Sequence, residues 1–302
     1  MAMLVIGSRG SQLALWQANW VKGRLEASGV ECRIEIIHTT GDKITSVALS
    51  KVGTKGLFTK EIEEALLDGS IDLAVHSLKD MPTELPAGLT LAATPAREDP
   101  SDALVGRKLS DLMEGARVGT SSLRRSAQLR ALRPDLRIDD IRGNVDTRLR
   151  KLDEGQYDTI VLASAGLRRL GWQDRIVETL DAEVMCPAVG QGALVIETRA
   201  DGGPAFTVCS TLEDHATRVA VTAERALLAS LGGGCQVPIG AYAVVHNGSV
   251  KLRAVVISPD GTRIVRKSSE GEAVNAERLG RDLGEQLLAA GGRAILEAVY
   301  AA

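Results

Sequence analysis

The stretch Arg117-Val118-Gly119-Thr120-Ser121-Ser122-Leu123-Arg124-Arg125 decides how this chain is read. A short strand ends in a run of hydroxyl residues suited to a helix N-terminus, and the arginine-bearing helix that follows stops before Pro134. The same order of strand, turn and helix recurs twice downstream. Residues 136–141 lead through Arg142-Gly143-Asn144 into a helix with Val145, Leu149 and Leu152 inward, and Thr159 to Ala163 leads into a short helix carrying Arg168 and Arg169. Three such units imply a parallel sheet with helices on both faces.

Towards the N-terminus, Met3 to Ile6 reads as a strand, and Ser11 caps an amphipathic helix carrying Leu13, Trp16, Trp20 and Leu25 and ending near Gly29. Residues 32–37 alternate as a strand. Thr39 to Lys55 is polar and glycine-containing, a mobile loop by composition. Thr59 caps a helix that Gly69 closes, and the apolar strand Ile71 to Val75 runs into His76-Ser77-Leu78-Lys79-Asp80-Met81-Pro82. Leu89 to Ala93 is a further strand. Thr94 to Pro100 and Cys186 to Ala193 read as linkers crossing between two lobes. After a helix over Val219 to Leu231 come strands at 241–245, 250–257 and 262–268, with Asn247-Gly248 as a type I′ turn and Pro259-Asp260-Gly261 as the next turn. A last helix runs from Ala276 to about Ala290. These boundaries give an α/β chain of two lobes, 1–95 with 193–212 and 98–187, and a small α+β domain over 216–302.

Composition agrees with such a layout. At 302 residues the chain exceeds one ordinary domain, and 44% hydrophobic against 3% aromatic residues requires an aliphatic core. A net charge of −3 supplies no field for nucleic acid. No run approaches a membrane span, which places the chain in the cytoplasm. The cysteines Cys32, Cys186, Cys209 and Cys235 are far apart, and the histidines His38, His76, His215 and His246 are scattered, which argues against structural disulfides and a metal centre.

Three features carry chemistry. Arg124, Arg125, Arg142, Arg148 and Arg169 fall at strand ends and first helical turns, where helix N-termini favour anions, while Arg130, Arg133 and Arg150 read as plain surface charges. Like charges so concentrated repel unless a ligand compensates them, and guanidinium forks suit a polycarboxylate or polyphosphate. Phosphate is the less favoured, because neither a Walker-type run nor Gly-x-Gly-x-x-Gly follows a strand. Lys79 and Asp80 sit at the carboxyl end of a strand, where ligands collect in open α/β sheets; an ordinary turn capped by Asp80 is the bland alternative. Leu231-Gly232-Gly233-Gly234-Cys235-Gln236-Val237-Pro238-Ile239-Gly240 places a thiol on a glycine loop, which sets it apart from the usual buried cysteine.

The chain resembles the porphobilinogen deaminase (hydroxymethylbilane synthase) family. The matching stretches are Gly7 to Ala14, Lys55 to Phe58, Val75 to Pro82, Arg97 to Pro100, Gly119 to Arg125, Ile141 to Arg148, Ala188 to Gly192 and Gly233 to Gly240, in family order. The resemblance implies two periplasmic-binding-protein-like (type II) α/β lobes plus a small third domain. It also implies a monomeric enzyme of tetrapyrrole synthesis, with neither nucleic acid nor membrane as partner. Such an enzyme joins four porphobilinogen units head to tail, with loss of ammonia, into linear hydroxymethylbilane on a dipyrromethane cofactor. Cys235 matches the thioether attachment point and Asp80 the catalytic carboxylate. Arg124, Arg125, Arg142, Lys79, Ser122, Thr120 and Gln191 match cofactor contacts; Arg9, Ser11, Arg148 and Arg169 match substrate contacts; Lys51, Lys55 and Phe58 match the active-site loop. Thr54 and Thr198 depart from residues frequent in the family, glycine and cysteine, away from the chemistry. A binding protein would share the lobes and arginines without needing Cys235 or Asp80. A cysteine hydrolase pairing Cys235 with His76 or His215 would leave the arginines without a purpose.

Overall fold

The computed structural model describes residues 3–43, 57–233 and 237–301. The chain forms two compact units, residues 1–98 with 193–218 and residues 99–192 with 219–302.

In the first unit, β1 (Leu4–Ser8), β2 (Cys32–Ile36), β3 (Leu73–Ser77), β4 (Leu89–Ala93) and the returning β10 (Leu194–Arg199) make one sheet in the order β2-β1-β3-β10-β4. α1 (Gln12–Ala27) opens on Ser11, whose Oγ accepts from the Ala14 amide at 3.3 Å. It buries Ala18, Val21 and Leu25 against Ile6, Leu73 and Val75. A short α2 (Thr40–Lys43) precedes α3 (Lys60–Leu67), which lays Ile62 and Leu66 over Ile71, Ala74 and Leu89 on the other face. Each such side chain contributes about 1.5–3 kcal/mol of burial. Thr59 stands at the start of α3, but its hydroxyl makes no cap hydrogen bond. Its backbone is already in the helical region, so the expected cap geometry is not formed. The strand expected at 71–75 begins two residues later and continues through His76 and Ser77.

The second unit holds β5 (Asp102–Val105), β6 (Arg117–Gly119), α4 (Leu123–Leu132), β7 (Arg137–Asp139), α5 (Val145–Asp153), β8 (Thr159–Ala163), α6 (Ser164–Arg169) and β9 (Ile176–Leu180), with sheet order β7-β6-β8-β5-β9. β6, β7 and β8 are parallel, as the three strand-turn-helix units require. The sheet as a whole is mixed, because β5 runs antiparallel to both β8 and β9. β10 is likewise antiparallel to β3 and β4. β5 and β10 are the first strands after the chain changes unit, and each enters its sheet from the opposite end. Helical periodicity carries no sign of that direction, so the antiparallel entry of β5 and β10 was not part of the sequence expectation.

After α7 (Pro204–Ser210), α8 (His215–Ser230) leads to a three-stranded antiparallel sheet of β11 (Ile239–His246), β12 (Ser249–Ile257) and β13 (Ile264–Glu272), covered by α9 (Ala276–Leu287) and α10 (Arg293–Tyr300). Asn247 at φ 49° and Gly248 at φ 76° form the tight turn expected of that pair. Leu227 of α8 and Leu283 and Leu287 of α9 pack on Leu252 and Val256. Gly291, at φ +108°, divides the C-terminal helical stretch where the sequence reading had ended it. This sheet seats Val255 and Ile257 against Ala127 of α4 and Cys186. The approach is close at Gly261, where an added Cβ would lie 2.7 Å from the Ala131 nitrogen.

Candidate active site

In the first unit the chemistry gathers at the carboxyl end of β3. Leu78–Asp80 form one turn of 3-10 helix, closed by the Met81 amide donating to Leu78 O at 3.1 Å. The turn leaves Asp80 exposed and Lys79 half-buried. Among the described residues the Asp80 carboxylate has no hydrogen-bond or ion-pair partner; its place is set by its backbone. Arg9, Ser11, Phe58, His76, Ser77 and Asp80 line one concavity. The Arg9 guanidinium lies over the Phe58 ring at 4.2 Å, a cation–π contact that joins the end of β1 to the start of α3. Thus the structure brings Arg9, Ser11, Phe58 and Asp80 together, and Lys79 adjoins them.

In the second unit Ser122 caps α4, its Oγ accepting from the Arg125 amide at 3.4 Å. Ser121 donates to Ile141 O at 2.7 Å, and the buried Thr120 donates its amide to Asp139 O at 2.9 Å. Arg124 and Arg125, expected at an exposed rim, are buried at 4% and 6% exposure. Both converge on Asp102, the first residue of β5, which is wholly buried. Arg124 grips it with Nη1 at 2.6 Å and Nη2 at 3.2 Å; Arg125 reaches it with Nε and Nη2, each at 2.8 Å. Gln191 donates to the same carboxylate at 2.9 Å. Arg169, also buried, donates to Gly192 O at 2.6 Å. Burial alone would raise the Asp102 carboxyl, but the two guanidinium groups outweigh it and hold it well below the usual carboxylate range. The ligand inferred from arginine repulsion is therefore supplied in part by the protein. Two cations face one anion, which leaves one positive charge in excess, and the buried Arg124 Nε has no hydrogen-bond partner among the described residues. That donor set fits a carboxylate-bearing group such as dipyrromethane.

Arg142 and Arg148 are half-buried on either side of the α5 N-terminus, where Arg148 Nε donates to Gly143 O at 2.8 Å. No hydrogen bond or ion pair engages the Arg142 guanidinium among the described residues. Two arginines read as surface charges have structural partners instead. Arg130 donates to Pro259 O at 2.8 Å, and Arg133 donates to Leu109 O and Leu112 O while pairing with Asp135 at 2.6 Å. Arg150 is exposed and pairs with Glu154.

Cys235, Lys51 and Lys55 lie outside the described residues, as does most of the expected loop over 39–55. The other three cysteines are buried free thiols. Burial pushes the Cys186 and Cys209 thiols up to about 12 and raises Cys32, which removes all three as nucleophiles near neutral pH. Sequence reasoning passed over Asp102. The signal was present in Arg97-Glu98-Asp99-Pro100-Ser101-Asp102, where an acidic residue enters a strand, but its partners lie at positions 124, 125 and 191 and only the fold joins them.

Comparison with known proteins bears on the chain as a whole. Residues 4–205 match the family model described as porphobilinogen deaminase, dipyromethane cofactor binding domain, and residues 218–289 match the porphobilinogen deaminase C-terminal domain. The porphobilinogen deaminase of Syntrophobacter fumaroxidans is 52% identical over 302 residues, covering 98% of each chain. That of Trichlorobacter lovleyi is 53% identical over 301 residues, covering 98% of this chain and 96% of the relative. Among solved structures, the methionine-binding protein MetQ aligns with a TM-score of 0.44 at 13% identity, over 70% of this chain and 89% of that one, a likeness too slight to carry an argument. The domain models and the full-length identities together show that the chain belongs to the porphobilinogen deaminase family.

Proposed function

We propose that Asp80 is the acid, Cys235 the cofactor attachment point and the arginines about Asp102 the carboxylate cradle of this chain's reaction. The reaction comes with the family: a transferase of tetrapyrrole synthesis polymerises four porphobilinogen molecules into hydroxymethylbilane and releases ammonia at each step. Dipyrromethane, when bound, supplies the pyrrole carbon on which the chain grows.

The observation that carries the assignment is the pair Arg124 and Arg125, buried around a single carboxylate with one positive charge in excess. Guanidinium groups pinned by Asp102 and Gln191 cannot collapse onto solvent, so they offer fixed donors to the carboxylates of the cofactor. Thr120, Ser122, Lys79 and Gln191 supplement them; Arg9, Ser11, Arg142, Arg148 and Arg169 take carboxylates of the substrate and the growing chain. Asp80, free in solvent, gives a proton to the leaving amine and then, ionised, stabilises positive charge on pyrrole nitrogen. Lys51, Lys55 and Phe58 belong by family resemblance to the active-site loop. The burial of Cys32, Cys186 and Cys209 disfavours them as attachment points and supports Cys235 in that role.

We divide the chain into three domains, 1–95 with 193–212, 98–187 and 216–302, a finer division than the two compact units and supported by one sheet falling in each. The chain works as a cytoplasmic monomer without nucleic acid. Its free cysteines suit a reducing compartment, and among the described residues no helix is long and apolar enough to cross a membrane. The test is the intact mass of the denatured protein beside Cys235→Ser. A surplus matching two linked pyrrole units, absent from the variant, is the expected result. A protein that stays unmodified after incubation with porphobilinogen refutes the assignment.

A further inference from the structure

The carboxylate assigned as the acid makes no bond of its own among the described residues, yet acid catalysis requires it at a defined place. What holds it lies two to four residues back along β3. His76 and Ser77 point to opposite faces of the sheet, and each is fastened by a side chain from another element. Beneath α3, His76 Nε2 donates to Glu197 Oε2 of β10 at 3.1 Å, with both residues buried at 7% and 0% exposure. Beneath α1, Gln17 Nε2 donates to Ser77 Oγ at 2.9 Å. The next residue is tied by its backbone, the Leu78 amide donating to Ala193 O at 3.0 Å immediately before β10.

Neither buried group has a part in the reaction as described, and a polar pair in that position is costly unless it serves geometry. β10 alone could pair with β3 through its main chain, as Val195 opposite His76 already does. Glu197 and His76 add a lock between those two strands in the register that aims the turn. Glu63 of α3 is the other buried acid on this side; burial, and secondarily the Glu197 charge, push its carboxyl up. Glu197 is the acid that the imidazole engages directly.

We infer that Glu197 and His76 are positioning residues for Asp80, with Gln17 and Ser77 as the matching fastener on the opposite face. This rests on Asp80 being the acid. Loosening the lock displaces the carboxylate while leaving the cradle in the other unit intact.

The experiment is a double-mutant cycle of Glu197→Gln with Asp80→Glu in the cofactor-bearing protein, reading kcat, KM, thermal midpoint and intact mass. Glu197→Gln keeps the shape and removes the charge. It is expected to lower kcat by about 10- to 100-fold with KM and the cofactor mass unchanged, since small misplacements of a catalytic group have effects of that order. In the Asp80→Glu background, where the carboxylate is already misplaced, the same substitution is expected to cost less than about threefold. An equal loss in both backgrounds overturns the inference, as does an undiminished kcat in Glu197→Gln alone. If Glu197→Gln fails to fold, Gln17→Ala carries the cycle and is held to the same two outcomes. Normal turnover in Asp80→Ala would instead sink the reading of Asp80 itself, a result distinct from either.

Discussion

Asp80 follows a strand in one unit and Asp102 opens a strand in the other, and their surroundings are opposite. Asp80 is exposed on a short turn with no partner among the described residues. Asp102 is wholly buried and accepts from Arg124, Arg125 and Gln191. A carboxylate bound by two guanidinium groups is held ionised through any physiological pH and cannot trade a proton, but it makes a rigid counter-charge. One left in solvent is accessible to a ligand, at the cost of having only its backbone to place it. The difference teaches what each setting permits: an aspartate on an exposed turn stays accessible to a ligand, and one locked between guanidinium groups serves as a fixed counter-charge.

The comparison breaks most sharply at Asp80. Asp80→Ala is expected to lower turnover by about 10²- to 10⁴-fold, the usual range for a positioned acid, while the thermal midpoint and cofactor mass stay as in the parent. Steady-state kinetics beside intact mass decide it. Asp102→Ala should do the reverse. It leaves two buried guanidinium groups facing each other without their anion and costs about 3–5 kcal/mol of folding stability, measured by urea unfolding. Turnover per cofactor-bearing molecule should fall less than the yield of such molecules does.

Acid sharpens the same contrast. The folded-state pKa of Asp102 is depressed, so its contribution is fully present above the unfolded value near 3.8 and is lost as pH falls below it towards the folded value. Stability measured from pH 6 down to pH 2 should therefore decline more steeply in the parent than in Asp102→Asn. Parallel curves would show that the guanidinium pair is not held by that charge. For Arg142→Ala, whose side chain has no partner among the described residues, folding should be unchanged and intermediates should accumulate, seen as discrete pyrrole additions by mass. The smallest effect belongs to Arg130→Ala. It removes a hydrogen bond to Pro259 O and should cost about 0.5–1.5 kcal/mol with no change in kinetics.

Much of the fold was legible in residue order. Ser11 and Ser122 stand at helix starts and form the caps that their hydroxyls permit, and Asn247-Gly248 takes positive φ at both positions. Such signals are local, decided by a few neighbouring atoms, so a sequence contains them whole. The concentration of arginine after strands and the place of Lys79 and Asp80 at a strand end were readable for the same reason, and the family motifs named the chemistry. Strand direction was not readable. β5 and β10 have the composition of any strand, and only the end from which each enters its sheet makes the sheets mixed. Nor was the burial of Arg124 and Arg125, since the carboxylate that permits it comes from position 102 and the amide that completes it from position 191. The sequence by itself determined which groups are acidic, basic and nucleophilic, because those are properties of single residues. The tertiary structure alone decided which of them are locked and which are left to react, because desolvation and charge pairing depend on neighbours distant in the chain.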